Sequence, residues 1–432
     1  ADLEGTHWLS EQHLKNGRWK DYTALHQLFQ NLQKHPKILH LSWIFDGDGD
    51  RCFILVADPS RQGIHILSGD ALMLLISSES EFQSQNKYLF NTIESDLEAS
   101  SRILGMQFNL RQCAVGDKWL LLEAFDSRIK ILKEHVRKFS GINKDLIDHI
   151  QNTLVVMRKG IRPSAFELTR LWRDLIKEIP EANQLSTDFF LGGEESGHVI
   201  LPATHSKQLV FLGNGLLVAF KATEILYKRW LHNLEEFFKN IKALQPQGTH
   251  FTLHVYYVVK EKLLETRFRD ELCQIIQERA GNLYPEFIQD WVNLPEDNQL
   301  LMLQLKDEDT LKIAIFIRNS GTEDKLSLYI QGNGISDQAL NELSGKIYWH
   351  LLCHCKNRNS TWYQSEAQIM VELLKVSPTI SWPENPVKKS RLLHEMRNKQ
   401  KFVNGGPENL VLTEMGRRYA QFLSENTDFK GG

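Results

Sequence analysis

Three short polar turns, each carrying glycine and each bracketed by apolar runs of strand length, constrain this chain more than any other feature. Residues 37–45 (KILHLSWIF) and 52–57 (CFILVA) flank Asp46-Gly47-Asp48-Gly49-Asp50-Arg51. Residues 189–191 and 199–201 flank Gly192-Gly193-Glu194-Glu195-Ser196-Gly197-His198, and residues 311–317 and 326–330 flank Arg318-Asn319-Ser320-Gly321-Thr322-Glu323. Short apolar runs bounded by turn residues read as strands. Strand, loop, strand at three places, with helical stretches between them, suits an α/β fold.

The remainder fits that alternation. Residues 13–34 read as a polar helix, 71–76 as the apolar face of another, and 88–122 as further short apolar runs around Val115-Gly116-Asp117-Lys118. From about 126 to 187 the chain reads as an amphipathic helical insertion, clearest behind Pro163, where Ala165, Phe166, Leu168, Leu171, Trp172, Leu175 and Ile176 recur at helical spacing. One long helix is expected over 216–244, a break at Gln245-Pro246-Gln247-Gly248, and a strand over 251–259. The tail reads as helices at 369–375, 390–399 and 412–423, with Asn404-Gly405-Gly406 closing a small hairpin, as a winged-helix-like module or a helical cap would have it.

With 432 residues the chain is expected to hold about three domains, at roughly 100–200 residues each. Hydrophobic residues at 42% supply real cores and argue against disorder. A net charge of -3, from 51 basic and 54 acidic residues, gives no general field for nucleic acid or an anionic membrane, so phosphate binding has to be local. Five scattered cysteines, an odd number, fit a reducing cytoplasm better than a disulfide framework. No apolar run approaches the roughly 20 residues of a membrane span, and the first residues lack the order of a signal peptide. The chain opens on Ala1, so a processed protein or a part of a longer one is expected.

Each loop has a chemistry of its own. Asp46, Asp48 and Asp50 alternate with glycines and can converge hard oxygen ligands on a small divalent cation such as Mg2+. An EF-hand is excluded by spacing, since Arg51 stands where it needs Gly and Ala57 where it needs Glu. In the second loop Glu194, Ser196 and His198 can hydrogen-bond sugar hydroxyls, and His198 can exchange protons near neutral pH; a glycine-rich turn with a satisfied histidine is the competing reading. Arg318, Ser320, Gly321 and Thr322 combine a guanidinium fork, hydroxyls and open backbone amides, the parts of a phosphate cradle, against the alternative of an ordinary polar turn. Cys353-His354-Cys355 with His350 one turn earlier reads as free thiols on a helix rather than a metal site.

Taken in order, DGDGDR, GEESGH and R-x-SGTE resemble the signature loops of the phosphohexose mutase superfamily, over residues of about 30 to 335, and Val115-Gly116-Asp117-Lys118 resembles that family's short VGD-type loop. The resemblance implies mixed-sheet mutase-type domains: part of domain 2 over 1–60, domain 3 over 61–232 with the helical insertion, an α+β phosphate-binding domain 4 over 233–350, and a helical or winged-helix-like extension over 351–432. It implies Mg2+ on Asp46, Asp48 and Asp50, Arg51 beside it, and Lys118 near the substrate. It also implies a sugar read by Glu194 and Ser196, His198 as proton shuttle, and the idle phosphate held by Arg318, Ser320, Gly321 and Thr322. The implied activity is an isomerase's: phosphoryl transfer between C1 and C6 of a hexose phosphate through a bisphosphate, of phosphoglucomutase or phosphomannomutase type, with phosphoglucosamine mutase as an alternative.

One departure is large. No T-A-S-H-N-P-type serine loop occurs in the chain; Thr204-His205-Ser206 is its nearest look-alike and follows the sugar loop, and only 45 residues precede the metal loop. Without a phosphoserine the metal has no covalent phosphoryl donor, so the chain by itself is expected to be inactive. The favoured expectation is the C-terminal portion of a mutase, its serine loop supplied upstream or by a second chain. A non-catalytic sugar-phosphate sensor with a DNA-binding tail is the alternative, although the basic residues around Lys388, Lys389 and Arg391 read more simply as a solvated helix face.

Overall fold

A computed structural model describes residues 6–15, 22–79, 87–136, 144–158, 170, 173, 174, 177, 187–205, 208–320, 323–375, 380–407 and 409–426. The chain divides into two units, Ala1–Gly248 with Leu294–Asp297, and Thr249–Asn293 with Asn298–Gly432. Both are built of sheets and helices in an α/β architecture. Among the described residues no helix is long and apolar enough to cross a membrane.

The first unit opens with an antiparallel sheet of β1 (Trp8–Ser10), β2 (Leu41–Phe45), β3 (Cys52–Asp58) and β4 (Gly63–Leu67), in the order β1-β4-β3-β2. Every residue of β3 is buried because both its faces are covered. Phe53, Leu55 and Ala57 face a core shared with helices α1 (Glu11–Lys15) and α2 (Thr23–Lys34), whereas Cys52, Ile54 and Val56 face the core of α3 (Gly69–Ser77). Side chains alternate between faces along a strand, so two covered faces produce the unbroken apolar run seen in the sequence.

The second sheet contains β5 (Tyr88–Thr92), β6 (Asn109–Cys113), β7 (Phe189–Gly193), β8 (Val199–His205) and β9 (Gln208–Gly213), in the order β6-β5-β7-β8-β9. Strands β6, β5 and β7 run parallel, and β8 and β9 return antiparallel. Helix α4 (Leu97–Gly105) makes the crossover from β5 to β6, its first turn capped by Asp96, whose carboxylate accepts from the amides of Glu98 (2.6 Å) and Ala99 (3.2 Å). Helices α5 (Asp117–Val136) and α6 (Lys144–Arg158) follow β6. Of the helix expected behind Pro163, the described residues 170, 173, 174 and 177 are helical; its other residues and the look-alike Ser206 lie outside the described residues.

Two expected helices are each divided. Within the polar run over 13–34 the described residues form the end of α1 and all of α2, with Tyr22 outside the helix; α1 starts at Glu11, where Ser10 Oγ accepts from the amide of His13 (3.3 Å). The long helix over 216–244 forms α7 (Gly215–His232) and α8 (Leu234–Leu244). Asn233 separates them: its backbone is extended, and its side chain accepts from the amide of Glu236 (3.1 Å), which starts a new helix in place of continuing the old one.

In the second unit β10 (Thr249–Tyr256), β11 (Ile288–Val292), β12 (Leu301–Asp307), β13 (Thr310–Asn319) and β14 (Lys325–Gly332) form an antiparallel sheet ordered β10-β14-β13-β12-β11. Helices α9 (Thr266–Leu283) and α10 (Asp337–Cys355) pack on it. The tail comprises α11 (Thr361–Leu374), α12 (Pro386–His394) running into a π turn at Glu395–Lys399, a hairpin of β15 (Val403–Asn404) and β16 (Val411–Leu412), and α13 (Glu414–Asn426). Tyr363, Met370, Phe402 and Tyr419 from this tail are buried in the same apolar core as Leu328, Ile330 and Leu351. The tail is therefore packed into the unit, not appended to it.

Candidate functional site

The acidic loop is the turn between β2 and β3. Asp46 holds it by accepting at Oδ1 from the amides of Gly49 and Arg51, both at 3.2 Å. Burial pushes against the charged Asp46 carboxyl. The hydrogen bond from the Arg51 amide and the charge of the Arg51 guanidinium outweigh it and hold Asp46 below the usual carboxylate range. Oxygens of Asp46, Asp48 and Asp50 lie within 4.8 Å of one another. Asp50 also belongs to a second potential cation group, with Asp117 and His198. Asp117, the first residue of α5, was not singled out as a ligand in the sequence; its place in the VGD-type turn was the available signal.

The glycine-rich loop joins β7 to β8 and meets the acidic loop. Glu194 is buried, with Oε1 accepting from the amide of Gly116 (2.6 Å) and Oε2 accepting from Ser196 Oγ (3.1 Å). The His198 ring spans the two loops, with Nδ1 3.0 Å from Glu194 Oε2 and Nε2 2.9 Å from Asp50 Oδ2. Burial works against an imidazolium there, but the Glu194 and Asp50 carboxylates prevail and push the ring up to about 8. Both nitrogens then donate, and the 3.4 Å approach of Arg51 Nε to His198 Nε2 is a close passage of two cations rather than a hydrogen bond. Burial opposes ionisation of Glu194 as well, and His198 with the Gly116 amide holds it below its ordinary range.

Backbone geometry fixes the same junction. The amide of Cys52 donates to the carbonyl of Gly197 (3.0 Å), and that of Gly215 donates to the carbonyl of Gly49 (3.0 Å). Gly197 has φ +94°, and a Cβ there would stand 2.9 Å from the Cys52 carbonyl; one on Gly215 would stand 2.5 Å from that of Arg51. Side chains at either position would force the loops apart. The next carboxylate, Glu195, turns inward and accepts from Ser68 Oγ (2.8 Å), near the buried Asp70. Burial pushes Asp70 up to about 7, and burial with the Asp70 charge pushes Glu195 well above its ordinary range. This inner pair was not foreseen from the sequence.

The acidic loop fits a divalent cation by its donors. All three are carboxylates, hard oxygen ligands, and Asp50 Oδ1 is buried with no hydrogen-bond partner while Oδ2 is engaged by His198. Lys118, next to Asp117, has Nζ 4.6 Å from the centre of the Trp119 ring.

The third loop lies in the second unit, between β13 and β14. The amide of Ser320 donates to the carbonyl of Lys325 (3.0 Å), and Ser320 Oγ accepts from the amide of Glu323 (3.2 Å). Lys325 Nζ pairs with Glu323 at 2.7 Å and holds that carboxyl below its usual range. Arg318 stands opposite Ser327 in the ladder. Gly321 and Thr322 lie outside the described residues. The Cys353-His354-Cys355 stretch belongs to α10; burial pushes the thiols up to about 11 and about 12, and His354 Nδ1 contacts the His350 carbonyl (2.9 Å), so these groups pack a helix. Neither cation group found among the described residues includes them.

No protein-family model matches the chain, and no curated protein matches it. Among solved structures it is similar to a phosphoglucomutase/phosphomannomutase family protein from Burkholderia thailandensis, at 15% identity and a TM-score of 0.41, over 75% of this chain and 50% of that one. It is also similar to an Aspergillus fumigatus N-acetylphosphoglucosamine mutase in complex with glucose 1,6-bisphosphate, at 13% identity and a TM-score of 0.39, over 74% of this chain and 50% of that one. The chain thus spans about half the length of these solved structures.

Proposed function

We propose that this chain binds a hexose phosphate together with Mg2+ and is the C-terminal portion of a phosphohexose mutase, a cytoplasmic isomerase that shifts a phosphoryl group between C1 and C6 through a bisphosphate. The observation that carries this reading is the hydrogen-bonded line Glu194, His198, Asp50, which ties the sugar-reading loop to the cation loop within one unit. Asp46, Asp48 and Asp50 would hold Mg2+, which supplies Lewis-acid charge to a phosphoryl oxygen. Glu194 and Ser196 offer an acceptor and a hydroxyl to vicinal sugar hydroxyls. His198, doubly donating and raised to about 8, rests as an acid at neutral pH and can give a proton at Nε2. Arg51 and Lys118 bring positive charge beside these loops. In the second unit Arg318 and Ser320, with Gly321 and Thr322, would hold the phosphate that is not reacting.

The phosphoryl donor in this reading is a phosphoserine loop from an upstream segment or a second chain. A phosphoglucosamine mutase would use the same groups. Calorimetry of the isolated chain is expected to show binding of Mg2+ and of glucose 1-phosphate, the latter weakened about tenfold in Glu194→Gln by loss of a charged acceptor. The chain alone is expected not to convert glucose 1-phosphate to glucose 6-phosphate, even with glucose 1,6-bisphosphate added. Turnover by the chain alone would remove the missing-donor claim, and failure to bind both ligands would remove the whole reading.

A further inference from the structure

The tail of the second unit brings basic residues beside β10, across from the first residue of β14, the strand that follows the third loop. Gln400, wholly buried, ties the turn after the π segment to the sheet: its Oε1 accepts from the Tyr256 amide (3.4 Å) and from Lys356 Nζ (2.9 Å), and its Nε2 donates to Glu366 (2.5 Å). The residues on either side of it, Lys399 and Lys401, are exposed. Lys401 has φ +58°, and Thr413 Oγ donates to its carbonyl (2.7 Å).

The neighbouring strands place that turn. In the β10–β14 ladder Tyr256 stands opposite Lys325 and His254 opposite Ser327. Lys325 is the first residue of β14, directly after the third loop, and its Nζ lies 5.6 Å over the Tyr256 ring. Burial first, and then the charges of Lys325, Lys399 and Lys401, depress the His254 imidazole to about 4, so this histidine is neutral at physiological pH. Glu323, paired with Lys325, is the carboxylate that acts against these three lysines at His254. Lys399 and Lys401 form no ion pair among the described residues. Arg391 pairs with Glu395 (2.8 Å) and Lys260 with Asp324 (3.4 Å), so the three ammonium groups still outnumber Glu323, and an anion relieves their mutual repulsion.

We infer that Lys399 and Lys401, together with Lys325, bind the phosphoryl group of the sugar phosphate beside Arg318 and Ser320, so that the tail is part of the anion site. This rests on the proposed function for the identity of the ligand. A phosphate dianion suits the cluster in number and charge, and three lysines on one turn and one strand end are few for a nucleic-acid track.

The test uses the full chain and two probes, glucose 1-phosphate and inorganic phosphate, titrated at low and physiological salt. Lys399→Gln with Lys401→Gln is expected to weaken both about tenfold and to flatten the salt dependence. Lys399→Arg with Lys401→Arg should retain affinity, which separates lost charge from a disturbed turn. If Arg318→Ala weakens binding while the double glutamine variant matches the parent, this inference falls and the proposed function stands. If the parent binds neither probe, both fall. If the double glutamine variant loses binding to a DNA duplex that glucose 1-phosphate does not displace, the patch is a nucleic-acid contact and the inference is overturned.

Discussion

Each unit contains a hydrogen-bonded ionic network, and the two are finished differently. In the second unit Lys356 Nζ is 2.6 Å from Glu366 and 2.9 Å from Gln400, and the Tyr257, Phe402 and Tyr419 rings close around it at 5.6, 5.7 and 5.6 Å. The side chains of this pair are 3% and 0% exposed, so solvent takes no part. In the first unit the Asp50, His198, Glu194 line is graded from the surface inward: Asp50 is 32% exposed, His198 8% and Glu194 7%. That line also leaves Asp50 Oδ1 without a partner. A closed network can only fix structure, here the docking of the tail. An incomplete network at the surface keeps capacity for a ligand.

The largest effect is expected where the network is closed. Burial lowers the Lys356 ammonium below its ordinary range, with Glu366 opposing, and removal of one partner leaves a buried charge unmatched. Lys356→Ala should therefore destabilise the second unit by about 3–5 kcal/mol in denaturant unfolding, whereas Lys356→Met combined with Glu366→Leu and Gln400→Leu, which leaves no member of the network unpaired, should recover part of that loss. A cost for Lys356→Ala no larger than that of a surface substitution would break the distinction between the two networks.

The graded network should instead reveal itself through pH. His198 titrates near 6.5 when unfolded and at about 8 when folded, so its contribution to stability is complete below 6.5 and disappears as pH rises through 8. Its size is on the order of 2 kcal/mol. Urea unfolding of the first unit in the presence of a chelator should show that loss in the parent and not in His198→Gln. Equal profiles in the two proteins would mean that His198 is not held as an imidazolium by Glu194 and Asp50.

What could be read in the sequence was what lies close together in it. The DGDGDR turn falls between β2 and β3 as expected, because six consecutive residues carry both the turn and the carboxylates. The Asn404-Gly405-Gly406 hairpin also forms, with Val403 opposite Leu412 and Gly405 at φ +93°. Contacts between distant segments were not legible. Asp117 joins Asp50 and His198 only once β6, β7 and the acidic loop are assembled, and the Lys399–Lys401 turn is tied to β10 through the buried Gln400. The division at Asn233 was missed for another reason: apolar periodicity continued through it, while the local hydrogen bond of its side chain favoured a cap.

Asp48 offers the smallest effect and the sharpest sign. It is the exposed member of the acidic trio, whereas Asp46 holds the turn and Asp50 holds His198. Without a cation, three carboxylates within 4.8 Å repel one another, so Asp48→Asn should slightly stabilise the chelator-treated protein. With Mg2+ the same change removes a hard anionic ligand and should weaken binding about tenfold. A titration of Mg2+ by calorimetry, paired with unfolding in chelator, reads both signs from one variant. If the two effects share a sign, the trio is an ordinary acidic turn and the cation belongs elsewhere.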